Sequence, residues 1–456
     1  MLNRKIYSDL LEWKGRSHKC LVISGQRQVG KTYIIREFGK NEYDHFVEIN
    51  LSDDIESRSV FGGNLSAEEI IKRLMLYRDP DEFVPGRTLI FFDEIQECPE
   101  AYSSLKSFTI SGKYDIIASG SLMGVNIPNL NKGKGTEPLI PMGYEERLTM
   151  HSMDFEEFLW AKKIPKETIA EVRSDIKGKK QIDHVVYDRF ASLFRDFMIV
   201  GGMPEAVQAF VGDGNYKRAG IILENIIASC RRDINRYNSG IDKIKTEECF
   251  DSVPGQLSMT NKKFMYSRIR GEGSRMSSDK YMENLLWIKN AGYGNFCYGL
   301  EQPALPLTSN VKRDCFKVYL SDTGMLMHMY GGNSIKAIFE NNTSYNIGAI
   351  VENVTAECLM KCGYRIYYYE KRKGINRMEL DFILETGDGI VAAEVKSGKD
   401  RVAPSIEKVS AVFKIGRRVM FEDSNISVGE NGIEHYPLFV SAFFDETEPE
   451  WNGPAF

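Results

Sequence analysis

Residues Gly25-Gln26-Arg27-Gln28-Val29-Gly30-Lys31-Thr32 follow the pattern GxxxxGKT, directly after the apolar run Cys20-Leu21-Val22-Ile23-Ser24. The two glycines let the backbone turn tightly, so that successive N–H groups and the start of the next helix face one point and attract phosphate there. In such a loop the lysine reaches the β- and γ-phosphates and the threonine hydroxyl reaches magnesium. The expected nucleoside-triphosphate ligands are Gly25, Gln26, Gln28, Val29, Gly30, Lys31 and Thr32, with Lys31 also catalytic.

Magnesium needs a carboxylate, and the attacking water needs a group to orient it. The apolar run Thr88–Phe92 ends in Asp93-Glu94, which supplies Asp93 for the metal and Glu94 for the water. A further run, Tyr114–Ala118, leads into Ser119-Gly120-Ser121. In open α/β sheets ligands sit at the carboxyl edge of the strands, so Ser119 or Ser121 is placed to sense the γ-phosphate. An ordinary polar strand end fits those serines equally well.

A second constellation lies near the other end. Two strand-like segments, Glu379–Leu384 and Ile390–Val395, carry Asp381 and the triplet Glu394-Val395-Lys396. Alternate residues of a strand share a face, so Glu394 and Lys396 point the same way. With Asp381 beside them, two carboxylates can hold magnesium while the lysine stabilises charge or orients water at a scissile phosphate. The competing reading is a solvated strand face with a salt bridge.

The elements that must position these residues are legible in outline. CLVIS, YIIREFGK, HFVEINL, AEEIIKRLML, TLIFFDE and YDIIASGS alternate strand and helix, which predicts an α/β parallel sheet with helices on both faces. From Phe155 to about Tyr237 the pattern is helical, a lid broken at Gly201-Gly202-Met203-Pro204. Within it Lys162–Lys180 reads as a solvated helical surface, and before it Val125–Gly135 reads as a mobile loop. Between lid and terminal segment, Lys262, Lys263, Arg268, Arg270 and Arg275 precede a helix bearing Tyr281, Leu285, Leu286 and Ile288, capped by Ser277-Ser278. That pattern is consistent with a winged helix, either touching DNA phosphates or packing against its neighbours.

A length of 456 residues allows several domains, and a net charge of −5 argues against binding driven by overall charge. The eight cysteines form no CxxC pair, which argues against zinc and for reduced thiols. No apolar run approaches the roughly 18–20 residues of a membrane span, so the expectation is a soluble cytoplasmic protein with no membrane partner.

Taken in order, GQRQVGKT, FFDE, SGS, PMGYEER…DFEEFLW, GGMPEAV, RRDINRY, FKVYLSDTGML and NIGAIVENVTAECL resemble the bacterial and archaeal AAA+/STAND-type ATPases with a C-terminal domain of unknown function. The resemblance runs from about Leu10 to Arg401. It implies a P-loop ATPase core (1–153), a helical lid (154–245), a winged-helix-like segment (246–335) and a restriction-endonuclease-like α/β domain of the PD-(D/E)XK superfamily (336–456). It further implies ATP and Mg2+ as cofactors, DNA as a partner and a homo-oligomer.

In that superfamily's pattern Glu352 supplies an additional acid, so the implied metal ligands are Thr32 and Asp93 at one site and Glu352, Asp381 and Glu394 at the other. Glu394, Asp381 and Lys396 are the catalytic candidates there, as Glu94 and Lys31 are at the P-loop. The class also implies an arginine finger, with Arg147, Arg231 and Arg232 as candidates; Arg27 is given no role. The function expected is an ATP-hydrolysing switch coupled to a domain that binds and cleaves DNA. The alternative is a signalling or remodelling ATPase whose terminal domain recognises a partner without cutting.

Overall fold

A computed structural model of the chain describes residues 2–121, 143–238, 240–269, 281–339, 347–371, 378–397 and 404–447. The loop expected at Val125–Gly135, and Arg270, Arg275 and the Ser277-Ser278 cap, lie outside the described residues. The chain forms two compact units, the first holding Asn3–His151 and the second running from Ser152 onward, apart from Asn290–Gly292, which group with the first.

The first unit is built on five parallel strands: β1 (Cys20–Ser24), β2 (His45–Asn50), β3 (Thr88–Asp93), β4 (Asp115–Gly120) and β5 (Glu145–Thr149), in spatial order β2-β3-β4-β1-β5. Every residue of β3 is buried, which is why its sequence is a continuous apolar run and not an alternation. The helix Lys31–Glu42 follows β1 and buries Ile34, Ile35 and Phe38. Strand β5 was not expected from sequence. It is a polar edge strand, EERLT, with no fully buried residue, and it lacks the apolar signal that marks the others.

In the second unit the helix Phe155–Ala161 opens on a capping box between Asp154 and Glu157. Phe155 sits edge-on or tilted against Phe190, Phe194, Phe197, Phe439 and Phe443, so the helical segment and the chain's C-terminal segment share one core. The Lys-rich stretch is less solvated than its composition suggests. Its helix Lys166–Lys177 buries Ile169, Val172 and Ile176, and Arg173 pairs with both Glu156 and Glu446.

Eight strands form the second sheet: β6 (Gly294–Leu300), β7 (Val311–Leu320), β8 (Tyr367–Lys371), β9 (Met378–Thr386), β10 (Gly389–Val395), β11 (Arg417–Glu422), β12 (Ser427–Val428) and β13 (Glu434–Pro437). Their order is β12-β13-β11-β10-β9-β8-β6-β7. Strands β8, β9 and β10 pair antiparallel in sequence, and β11 returns parallel to β10 after the helix Pro404–Val412. The helix Gly348–Lys361 is buried from Ala349 to Leu359, which accounts for its apolar residues falling on all sides.

The segment after the helix read as part of a winged helix belongs to this sheet. β6 pairs antiparallel with β7 and parallel with β8. β6 is buried at five positions, Gly294, Phe296, Cys297, Gly299 and Leu300, and its backbone groups find partners on both sides. Residue 336, expected as a domain boundary, therefore separates strands of a single sheet.

The break at Gly201-Gly202 is observed, with the helix His184–Val200 ending and Pro204–Asp213 beginning across it. Asp322, fully buried, accepts from the Gly202 N–H at 2.8 Å and caps the helix Thr323–Tyr330 through Met325 N–H at 3.1 Å. The Gly202 carbonyl in turn accepts from Met153 N–H at 2.7 Å. The two sequence signatures GGMP and SDTG thus meet in one buried knot.

Candidate functional site

At the loop after β1, Gly25 has φ +152° and Gly30 φ +96°, both open to glycine alone at little cost. A Cβ on Gly25 would lie 2.1 Å from the Met150 carbonyl oxygen. Val29 is fully buried and anchors the turn, while Gln28 is exposed with φ +65°. Arg4 clamps the loop from behind, donating to Val29 O and to His151 O at 2.7 Å each.

Lys31 Nζ donates to the carbonyls of Gly25 and Gln26 at 2.9 Å each. Burial pushes its pKa down to about 8, against the pull of Glu94 and Asp93 and with the help of Arg27. Asp93, at the end of β3, accepts from Thr32 Oγ1 at 3.2 Å, from Glu94 N–H at 3.1 Å and from the Ser119 hydroxyl. Burial raises its carboxyl, which Ser119 and Thr32 partly offset. A threonine hydroxyl and a carboxylate meeting here are the oxygen donors a hard divalent cation takes, so Thr32 and Asp93 fit the expected magnesium.

Glu94 occupies the left-handed region, φ +52° and ψ +48°. Its Oε2 accepts from Ser121 Oγ at 3.1 Å and from Gln96 Nε2. Ser121 in turn accepts from Arg27 Nε at 3.2 Å. The two serines of SGS are thereby divided, Ser119 serving Asp93 and Ser121 serving Glu94. Sequence reading missed Gln96 and the engagement of Arg27; an arginine inside a phosphate loop was the available signal. Of the finger candidates, Arg147 is tied to Glu145 at 2.7 Å and Tyr102 at 2.6 Å, Arg231 to Asp251 at 2.9 Å and Arg232 to Ser229 at 2.6 Å.

The second constellation is assembled on β9 and β10. Asp381 Oδ2 accepts from Val395 N–H at 3.0 Å, one position beyond Glu394. Glu394 is 4% exposed. Its Oε2 has no hydrogen-bond partner among the described residues, and Lys396 Nζ stands 3.6 Å from it. Burial raises Glu394 to about 7; Lys396 opposes this and the Asp381 charge adds to it. Burial also raises Asp381, with Glu352 adding and Lys317 opposing.

Glu352 is placed differently from what the resemblance implies. It accepts from Lys317 Nζ at 2.8 Å and Tyr319 OH at 2.5 Å, and Lys262 pairs with its other oxygen. Burial would raise its carboxyl, but Lys317 and Lys262 outweigh that and hold it at about 2. Among the described residues no three His, Cys, Asp or Glu side chains converge to hold a metal. The donor chemistry of Asp381 with Glu394 fits a single hard cation; Glu352, neutralised by two lysines, does not join them. Lys317, on β7, and Lys262 were not singled out for this role from sequence, because nothing local to Glu352 marks a partner 35 or 90 positions away.

With this geometry in view, comparison with known proteins decides the first unit. Residues 17–159 match a family model described as an AAA domain. The chain carries an AAA-type P-loop ATPase domain. Residues 191–336 and 347–438 match two models each described as a domain of unknown function. No curated protein matches the chain. Among solved structures, a Walker-type ATPase of Pyrococcus abyssi is 14% identical, covering 72% of this chain and 96% of that one with a TM-score of 0.44. A signal transduction ATPase with numerous domains and a tetratricopeptide repeat sensor, from Pyrococcus horikoshii, is 15% identical, covering 78% and 48% with a TM-score of 0.26. Among the described residues no helix is long and apolar enough to cross a membrane.

Proposed function

We propose that this chain is an ATP-driven switch: the AAA domain hydrolyses ATP with Mg2+ held at Thr32 and Asp93, and the eight-stranded sheet is a PD-(D/E)XK-like module acting on DNA. The observation that carries the second half is Asp381 on β9 beside Glu394 on β10, with Lys396 just past the end of β10, in a helix-strand-strand-strand-helix-strand run from Gly348 to Glu422. A cation at Asp381 and Glu394 would polarise a scissile phosphate. The chain's own part is to hold the phosphate near Lys396, whose ammonium meets its charge or orients the attacking water. Magnesium-dependent cleavage of linear, nicked and single-stranded DNA, lost in Asp381→Ala and Lys396→Ala, is the expected result. Unaltered cleavage in both variants would refute it.

One observation favours a second reading, recognition without cutting. Glu352 is neutralised by Lys262 and Lys317, which leaves two carboxylates for a cation and adds positive charge beside them. On that reading the site binds a phosphate backbone, and DNA binding persists with no cleavage in any condition. The domain limits we favour are 1–153 for the ATPase, 154–245 for the helical part and, with its first strands β6 and β7 included, the sheet module thereafter.

A further inference from the structure

Phosphoryl transfer needs a cation that meets the charge developing on the γ-phosphate, supplied from the same chain or from a neighbour. The three arginines expected as candidates beyond the loop are each held elsewhere, Arg232 by Ser229. Arg147 is fixed by Glu145 and Tyr102 on the edge of the sheet, and Arg231 is fixed by Asp251. Arg27 is the exception in position: it belongs to the phosphate loop itself, and its side chain is half-buried.

Its Nε donates to Ser121 Oγ at 3.2 Å, and Ser121 donates on to Glu94 Oε2 at 3.1 Å. The guanidinium is therefore held at the carboxyl edge of β4, one hydroxyl away from the carboxylate that orients the attacking water. A triphosphate cradled by the N–H groups of Gly25–Thr32 brings its terminal phosphate to that edge, between Lys31 and Glu94. Lys31, now bonded to the Gly25 and Gln26 carbonyls, would exchange them for the phosphates, and Arg27 is already tied to the Glu94 side through Ser121.

We propose that Arg27 is a catalytic residue of this ATPase, a guanidinium supplied in cis to the γ-phosphate and linked through Ser121 to Glu94. The water oxygen bonds to the γ-phosphorus, its proton passes to Glu94, and the bridging oxygen leaves with ADP. Arg27 meets the negative charge on the γ-oxygens as that bond breaks. No neighbouring subunit has to complete the site. The inference rests on the ATPase reading of the loop but makes a separate claim.

The test uses the full chain and the variants Arg27→Ala, Arg27→Lys and Lys31→Ala, measuring ATP turnover and the binding of ATPγS and ADP. Arg27→Ala is expected to lose about tenfold or more in kcat, with ADP affinity held within about twofold and the preference for ATPγS over ADP lost. Arg27→Lys restores part of the rate, which a collapsed loop would not allow. Mixing Arg27→Ala with Lys31→Ala gives no recovery if the arginine acts in cis. Recovery on mixing, or a wild-type rate and wild-type ATPγS preference in Arg27→Ala, overturns the proposal. Turnover absent from the wild type would instead strike at the ATPase reading, and the nucleotide preference then decides the role of Arg27 alone.

Discussion

Lys317 Nζ lies 2.8 Å from Glu352 Oε1, with 1% and 2% of the two side chains exposed. Removing one partner of a buried pair leaves the other charge uncompensated, at a cost of about 3–5 kcal/mol. Because Lys262 still pairs with Glu352, Lys317→Met is expected near the lower end, about 3 kcal/mol by urea denaturation. Adding Glu352→Gln to that variant removes the buried charge but leaves Lys262 without its partner, so it should restore part of the loss. A double variant no more stable than the single one would contradict this account of the pair.

The close approach at Gly202 makes a sharper structural prediction. An added Cβ there would sit 2.0 Å from the Met153 carbonyl oxygen, whereas one at Gly212 meets nothing within 4 Å. Gly202→Ala should cost about 1–3 kcal/mol or more, while Gly212→Ala, inside the helix Pro204–Asp213, should stabilise by up to about 1 kcal/mol. Thermal melts of the two variants side by side check the pair of signs.

Asp322 carries two backbone donors, Gly202 N–H and Met325 N–H, in a fully buried position. Asp322→Ala leaves both unsatisfied and opens space beside Gly201, so a loss of about 2–4 kcal/mol is expected. Asp322→Asn keeps one acceptor oxygen and should lose less. Equal losses in the two variants would show that the charge and the second acceptor oxygen of the carboxylate, and not the side chain's volume, carry the effect.

His328 gives the second unit a pH dependence of known sign. Burial lowers its pKa below the usual 6.5, although Glu224 and Asp322 pull it back, and its Nε2 has no hydrogen-bond partner among the described residues. A proton therefore binds the unfolded chain more readily than the folded one. The stability contributed by neutral His328 is complete above the unfolded value and is lost as pH falls through it toward the folded value. The urea midpoint should drop from about pH 7.5 to about 5.5, and His328→Gln should flatten that slope. A slope unchanged in the variant would assign the effect to other groups.

The sequence carried the P-loop, Asp93-Glu94, the SGS turn and the strands of Asp381 and Glu394 because each is a local pattern, an apolar run ending in a fixed set of polar residues. What it did not carry depends on distance along the chain. Strand β5 is polar because it lies at an edge, and β6 and β7 looked like a separate small module because nothing in their own residues names β8 as a neighbour. The pairing of Glu352 with Lys317 and Lys262 was invisible for the same reason, and it changed the metal chemistry expected of that site. Arg27 stood in plain view, but its role depends on where β4 ends, not on the loop pattern.

The central claim is that ATP at the first unit governs DNA at the sheet module, and the most direct measurement is DNA binding by the full chain titrated with and without ATP and Mg2+, beside Lys31→Ala. The account predicts an affinity that shifts by about fivefold or more on adding ATP, a shift absent from Lys31→Ala, whose affinity without nucleotide matches the wild type. Binding that is equal with and without ATP, or no DNA binding at all, would contradict it.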